Sequence, residues 1–485
     1  MDATLWLTGA AGALTVAAGT ALLAPFVIRI WVRRAFAHVV RRLLTDPYDR
    51  NLLELFSVTR RAGLQTVLET SLRAEEGGPI LRPFGSVRSF PRFESLLFNF
   101  AQLADFPVEP DQPVDFRTVI GPQAARPLVL ELPILIAPMA YGLSLSAAVK
   151  VALAKGATLA GTAANTGEGP YLPDERAAAR HLILQYGRGT WAKEPEILRQ
   201  ADAIEIQWGT GARGGVGSVM PAARFDARLR RLLGLETGEE AVAQAVQPGV
   251  TKAADLRTLV GRLRETAGGV PVGVKLAAGK DLERDLEFAV EAGADFLTVS
   301  GAEAGTWGSP PILEDDFGLP ILYALSRAAR YMERQELRGR VSLLVEGKLQ
   351  TPGDFLKALA LGADAVYIGS VALFALAHTQ ILKALPWEPP TQVLWYSGRR
   401  APMFDVEQGA WSLARFLQSC RAEMAEGIRA LGKTSHREVS RADLVALDPF
   451  TAEICGVESA YRSHGHRDRA RWLRRSRRPK PLGQG

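Results

Sequence analysis

One lysine stands where a charge is hardest to keep. In the run PVGVKLA the residues alternate so that Lys275 points away from Val274 and Leu276. An unpaired ammonium in a protein interior loses its proton, so Lys275 either pairs with a carboxylate such as Glu346 or holds a ligand. Other residues able to do chemistry cluster at the ends of short apolar runs: Pro138-Met139, Asn165-Thr166-Gly167-Glu168-Gly169, Gln207-Trp208 before the loop GTGARGG with Arg213, Ser300-Gly301, Glu346-Gly347-Lys348 and Gly369-Ser370. Glycines at such ends admit an anion to backbone N–H groups, and a helix opening at Ser370 adds its positive end. Turn formation alone accounts for the same glycines, so both readings stand.

Competing chemistries are thin. The histidines His38, His181, His378, His436, His464 and His466 show no metal-ligand spacing with a carboxylate or cysteine. Cys420 and Cys455 cannot build a disulfide framework, a four-thiolate zinc site or a cysteine-held iron–sulfur cluster. Cys420, in FLQSCRAEM, reads as a packed helix residue.

The elements that must position these residues repeat. Short apolar runs cover Leu132–Ala137, Ala157–Thr162, His181–Tyr186, Ala203–Trp208, Val272–Leu276, Phe296–Ser300, Val341–Glu346 and Ala365–Ile368. Amphipathic helical stretches lie between most of them, among them SLSAAVKVALAKG, DLERDLEFAVEAG and TPGDFLKALALG, the last two closing on Gly where a helix C-cap belongs. Strands alternating with helices imply right-handed βαβ units and a parallel sheet. Eight repeats in about 250 residues predict an α/β fold, a (β/α)₈ TIM barrel, whose chemistry sits at the C-terminal strand ends. An open doubly wound sheet is disfavoured because no glycine-rich dinucleotide turn follows the first run.

Charge divides the chain further. The 485 residues carry a formal +6, but the stretches Arg29–Arg42 and Arg462–Lys480 together hold 14 of the 58 Lys/Arg and one of the 52 Asp/Glu, leaving a mildly acidic body. Ala3–Ile28 is 26 residues without a charge, followed at once by Arg29, Arg33 and Arg34. That pattern predicts a single-pass transmembrane helix in the cell membrane with the rest on the cytoplasmic side, and lipid contact for both basic stretches in preference to nucleic acid. The expected organisation is 1–45 anchor and basic juxtamembrane segment, 46–120 extension packing on the barrel, 121–385 barrel, 386–460 helical C-terminal extension and 461–485 basic tail. In the extension, Leu413, Phe416, Leu417, Met424, Ile428 and Leu431 recur at helical spacing.

The ordered set PILIAPMAYGLSLSA, AANTGEGP, ADAIEIQWGTGARGG, PVGVKLA, TVSGAEAGTWGSP and LVEGKLQTPGDFLKALALGADAVYIG resembles the FMN-binding synthase domain of glutamate synthases over roughly residues 125–375. The resemblance implies a barrel holding FMN, in which reduced flavin passes a hydride to the imine of 2-oxoglutarate and ammonia, giving L-glutamate. Carried over position by position, it implies FMN contacts from Pro138, Met139, Asn165, Lys275, Ser300, Gly301, Glu346, Gly347, Gly369 and Ser370. Lys275 would stabilise negative charge on the reduced ring. Thr166, Glu168, Gln207 and Arg213 would meet the substrate, with Lys275, Glu168 and Gln207 as the catalytic set. Trp307, on the loop with Glu303, either shields the ring or packs the loop.

Departures from the family pattern shape the expectation. There is no N-terminal nucleophilic Cys of a glutamine-cleaving domain, and LFALAHTQILKALPWEPP stands where the family has its cluster-binding cysteines, so no iron–sulfur cluster is expected. Gln207 replaces a family lysine, removing a positive charge suited to a dicarboxylate. The resulting expectation is a membrane-tethered FMN oxidoreductase that uses ammonia, takes a keto or amino acid substrate, and draws electrons from NAD(P)H or a small redox protein. Alternatives are an FMN oxidoreductase acting on another amino or hydroxy acid, and a non-catalytic membrane scaffold.

Overall fold

Eight runs of buried β-branched and aliphatic residues curl into one ring. The structure, a computed structural model, describes residues 3–103, 105–306 and 308–461, with the side chains of 3–11 and 13–16 excepted. The chain divides into two compact units, Met1–Ile80 and Leu81–Gly485. The first holds helices α1 (Ala3–Thr45), α2 (Leu53–Ala62) and α3 (Leu64–Glu76).

The expected membrane span is corrected here. Among the described residues no helix is long and apolar enough to cross a membrane. The side chains of residues 3–11 and 13–16, most of the first half of the expected span, lie outside the described set. From Ala17 to the first charge at Arg29 only 12 uncharged residues remain, about 18 Å of helix against a hydrocarbon core of about 30 Å. The cell-membrane, single-pass placement and the lipid contact lose their premise with it. The basic tail, with its His464-x-His466 pair, lies outside the described residues, as does Trp307.

The second unit is built on strands β1 (Ile134–Ile136), β2 (Ala164–Asn165), β3 (Leu182–Tyr186), β4 (Ala203–Gln207), β5 (Val272–Ala277), β6 (Phe296–Ser300), β7 (Ser342–Glu346) and β8 (Ala365–Ile368). Neighbours pair in parallel in the order β1-β8-β7-β6-β5-β4-β3-β2. The last seam, β1 to β2, carries no regular ladder. It is bridged by Ile136 N–H to the Ala163 carbonyl at 3.0 Å and Glu131 N–H to the Gly161 carbonyl at 2.9 Å. The Thr162 hydroxyl adds a bond to the Ile134 carbonyl at 2.6 Å. The sheet is therefore a (β/α)₈ barrel, with helices α4 (Ala147–Leu159), α5 (Pro173–Ala178), α6 (Ala253–Thr266), α7 (Leu282–Glu291), α8 (Ile321–Arg334), α9 (Pro352–Ala360) and α10 (Ser370–Ala377) outside.

The expected second strand, Ala157–Thr162, is shifted. Ala157–Leu159 belong to α4, and the strand proper is Ala164–Asn165. The stretch AKGATLA has one β-branched residue, and alanine and leucine extend a helix already nucleated by the Ser146 cap, whose hydroxyl accepts from Val149 N–H at 3.3 Å. The other seven expected runs match to within two residues at either end.

Inside the ring, Leu135, Ala137, Ala163, Ile183, Ala203, Phe296, Leu344, Ala365 and Tyr367 fill the lower layers. The hairpin Thr118–Ile120/Leu128–Leu130 supplies Ile120, Leu128 and Leu130 to the same cluster and so floors the barrel. Helix α11 (Val406–Ala430) lies along α4, burying Leu413, Leu417, Cys420, Met424 and Ile428. The helical spacing in the extension reads true, and burial raises the Cys420 thiol to about 12, leaving it an inert packing group.

Candidate functional site

Strand register sets the mouth of the barrel. Lys275 stands opposite Gln207 on one side and Thr298 on the other. Ser300 stands opposite Glu346. Inward positions of β4, β5, β6 and β7 thus deliver Gln207, Lys275, Ser300 and Glu346 to adjoining places. Lys275 Nζ lies 2.7 Å from Glu346 Oε1, and the side chains are 2% and 8% exposed. The Ser300 hydroxyl donates to the same oxygen at 2.5 Å and the Thr210 hydroxyl at 3.3 Å. Ser300 Oγ in turn accepts Gly211 N–H at 2.7 Å, drawing the β4 loop over the ring. Lys275 is thus paired with Glu346, and the pair fixes its amine in place at the mouth.

One layer deeper, Glu205 is fully buried on β4. Its Oε1 accepts from Asn165 Nδ2 at 3.1 Å and Gln185 Nε2 at 2.9 Å. Its Oε2 accepts from the Thr298 hydroxyl at 2.7 Å. Burial first, and then the Glu205 charge, hold the Tyr367 phenol well above its ordinary pKa, so it stays a neutral donor. Asn165, expected to touch a cofactor, spends its amide on Glu205 and accepts Gly167 N–H at 3.0 Å. It shapes the β2 loop.

Thr166 is likewise internal. Its hydroxyl accepts Gln185 N–H at 3.0 Å and donates to the Gly167 carbonyl at 3.1 Å, and the residue is 4% exposed. Beneath that loop Lys150, on α4, donates to the Asn165 and Thr166 carbonyls at 3.0 and 3.2 Å and pairs with Glu175 at 2.9 Å. Burial raises the Glu175 carboxyl and Lys150 opposes the rise. Sequence reasoning missed this pair, although a lysine amid VKVALA carries the same signal that singled out Lys275.

Glu168 opens to the mouth, and cations gather round it. Arg188 Nε lies 3.8 Å from Glu168 Oε1, an oxygen that is buried without a hydrogen-bond partner. Arg188 is 1% exposed; its guanidinium donates to the carbonyls of Val216 at 3.2 Å and Ala245 at 3.3 Å, tying the β4 loop to the chain before α6. Arg213, on that loop, interacts with the Glu168 charge, and burial lowers its pKa. Lys193 lies 4.3 Å above the Tyr186 ring. Burial, reinforced by Arg262, brings its pKa down to about 8 against the pull of Glu168. Arg188 and Lys193 were missed although Gly187 and Gly189 flank Arg188 in the β3 loop, the same glycine-at-a-strand-end signal that marked the other loops. Gln207 Oε1 is a second buried oxygen without a partner.

The ends of β6, β7 and β8 form a bare cradle. A Cβ on Gly301 would lie 2.6 Å from Ile321 Cβ, and one on Gly347 2.7 Å from the same atom, so only glycine brings the backbone this close to the start of α8. Gly369 caps α10 without a side-chain bond, and the first-turn N–H groups from Ser370 have no intrahelical acceptor. Pro138 and Met139 are half-buried beside this cradle, their turn backed onto Gly167. Between the cradle strands Glu303 Oε2 accepts Ile321 N–H at 2.9 Å, while its Oε1 is buried without a partner. Burial raises this carboxyl to about 7.

The barrel mouth thus brings bare glycine backbone, a paired lysine and a cluster of cations together on one ring. The family described as the conserved region in glutamate synthase matches residues 98–434. The chain is 30% identical over 420 residues to the archaeal-type glutamate synthase (NADPH) of Thermotoga maritima, covering 80% of this chain and 82% of that one. It is 31% identical over 418 residues to a glutamate synthase large subunit-like protein of Rhizobium meliloti, with 81% and 93% covered. A third relative, the archaeal glutamate synthase (NADPH) of Archaeoglobus fulgidus, is 29% identical over 451 residues, with 86% of each chain covered.

Proposed function

The chain belongs to the glutamate synthase family, and from that premise we propose that it is an FMN-dependent oxidoreductase reducing the imine of 2-oxoglutarate and ammonia to L-glutamate. The residues present suit the cofactor. A phosphate fits the cradle of Gly301, Gly347, Gly369 and Ser370: Gly301 and Gly347 leave no room for a Cβ, and the helix start at Ser370 has spare N–H donors. The Lys275 side chain, held in place by Glu346, suits the electron-poor end of the ring. When bound, FMN supplies hydride chemistry that no side chain can.

The observation that carries the substrate reading is the rim. Arg188, Lys193 and Arg213 share one carboxylate, Glu168, leaving an excess of two positive charges around it. A dicarboxylate keto acid supplies the two missing negative charges, and a guanidinium receives a carboxylate in a bidentate fork. Arg213 and Lys193 bind the substrate's two carboxylates; Arg188, fixed by backbone carbonyls, holds the Arg213 loop in place. Gln207 and Glu168, with unpartnered buried oxygens, accept hydrogen bonds from the imine nitrogen and orient it. Loss of the family lysine at 207 is compensated from β3.

NADPH or a redox protein is the electron donor under this reading. The test is anaerobic: the flavin-loaded, reduced protein is mixed with 2-oxoglutarate and ammonium. Flavin reoxidation with stoichiometric glutamate is expected. Reoxidation absent with this pair but present with another keto acid and ammonium, or reduction of the oxidised flavin by an amino or hydroxy acid, would transfer the assignment to that substrate.

A further inference from the structure

The geometry points to a second ligand site at the opposite end of the barrel, one that binds a compact phosphoryl anion. A cavity of about 560 Å³ opens there among the segment before the floor hairpin, the hairpin turn, the residues that precede β3, β4 and β5, and α11. Its walls include Val114, Phe116, Leu128, Leu130 and Val270, all buried and apolar.

The charges on that wall do not balance. Three acids line the cavity, and each is engaged. Glu131 pairs with Arg180 at 2.8 Å, Asp202 with Arg176 at 2.7 Å, and Asp115 with Arg437 at 2.7 Å. Asp115 also accepts Arg117 N–H at 2.8 Å. Three lining guanidiniums remain, those of Arg117, Arg126 and Arg421, and among the described residues none of them makes an ion pair. They come from separate elements: Arg117 before the hairpin, Arg126 in its turn, Arg421 on α11. Arg421 rests on the Phe116 ring, its guanidinium carbon 5.6 Å from the ring centroid, which fixes its place.

Three like charges around a concave, apolar-walled cavity repel one another and focus a positive potential into it. An anion that accepts several N–H bonds relieves that repulsion. A guanidinium fork matches a phosphoryl group, which presents more acceptor oxygens per unit volume than a carboxylate. The ligand class is therefore a small phosphorylated or pyrophosphate-bearing molecule. The site lies at the N-terminal strand ends, so its occupancy does not compete with the mouth.

Calorimetric titration of the full chain with inorganic pyrophosphate tests this, at low ionic strength and in saturating FMN so that the mouth cradle stays filled. One saturable site is expected. Arg126→Gln and Arg117→Gln should each weaken it at least tenfold, Arg421→Lys much less than Arg421→Gln, and the exposed control Arg399→Gln not at all. Each variant's flavin absorbance reports that it has folded. No saturable binding, or the same affinity in Arg126→Gln and Arg117→Gln, would overturn the site. Citrate binding as tightly as pyrophosphate would overturn the phosphoryl assignment.

Discussion

Two carboxylates on neighbouring levels of one barrel, one fully buried and one opening to the mouth, lead opposite lives. Glu205 accepts from Asn165, Gln185 and Thr298, and every donor around it is used. Glu168, a few residues past the end of β2, keeps an oxygen with no hydrogen-bond partner and sits among cations that outnumber it. A closed polar network fixes geometry, because a buried donor left unpaired costs about 1–3 kcal/mol. An open one of the same composition is a surface prepared for a ligand. Within this barrel the inner layer is closed on itself, while at the rim Glu168, Gln207 and Glu303 all carry buried oxygens without a partner, which under the proposed function makes the rim the working face.

The contrast is sharpest at Glu205. Glu205→Leu strands three donors at once and should destabilise the protein by about 4 kcal/mol in urea denaturation, with Glu205→Gln recovering part of it. A midpoint unchanged by the leucine would dissolve the distinction. Glu303→Gln should do the reverse. A carboxyl at about 7 in the fold and near 4.3 when unfolded binds more protons folded than unfolded in between, so stability falls as pH rises through that window. The variant is expected to be more stable than the parent at pH 8, by about 3 kcal/mol at most, with the gain gone below pH 4. Equal stability at both pH values would place that carboxyl outside the strained set.

Lys275→Met keeps the shape and removes the charge. Flavin reduction should slow about 100-fold and the flavin potential should become more negative, because negative charge on the reduced ring loses its counter-charge. A structural role alone leaves the potential where it was. The smallest effect belongs to the rim: Lys193→Met should raise KM for 2-oxoglutarate about tenfold and leave kcat within about twofold. In the parent, KM should climb as pH passes about 8, where Lys193 gives up its proton. The variant's profile should be flat there, and a parent profile equally flat would remove Lys193 from substrate binding.

Much of this was legible before any coordinates. The alternation around Lys275 announces an inward lysine, and Glu346 was one carboxylate offered as its partner, beside the reading in which the lysine holds a ligand. Glycines after β6, β7 and β8 mark the cradle. What escaped was of two kinds. Ala157–Leu159 look like a strand but extend α4, since a short apolar run has no periodicity of its own to choose between the two states. Thr166 and Asn165 were assigned to ligands because the motif carries them, yet their polar groups are consumed by Gln185, Gly167 and Glu205. A motif names residues without saying which way their hydrogen bonds run.

The N-terminal expectation failed for a related reason: an uncharged stretch rich in Gly and Ala and a following arginine cluster were read as a span, and neither measures apolarity. Among the described residues no helix reaches the length and apolarity of a span.

From the chain alone came the order of strands, the inward lysine and the glycine cradle, because these depend on local alternation and on the absence of side chains. Only the folded molecule decided that Arg188 and Lys193 of the β3 loop would meet Glu168 and Arg213, and that three guanidiniums would face one cavity at the base. Charges far apart in sequence are unreadable until closure of the ring sets their distances, and over a few ångströms it is distance that determines whether a charge is neutralised or left to attract a partner.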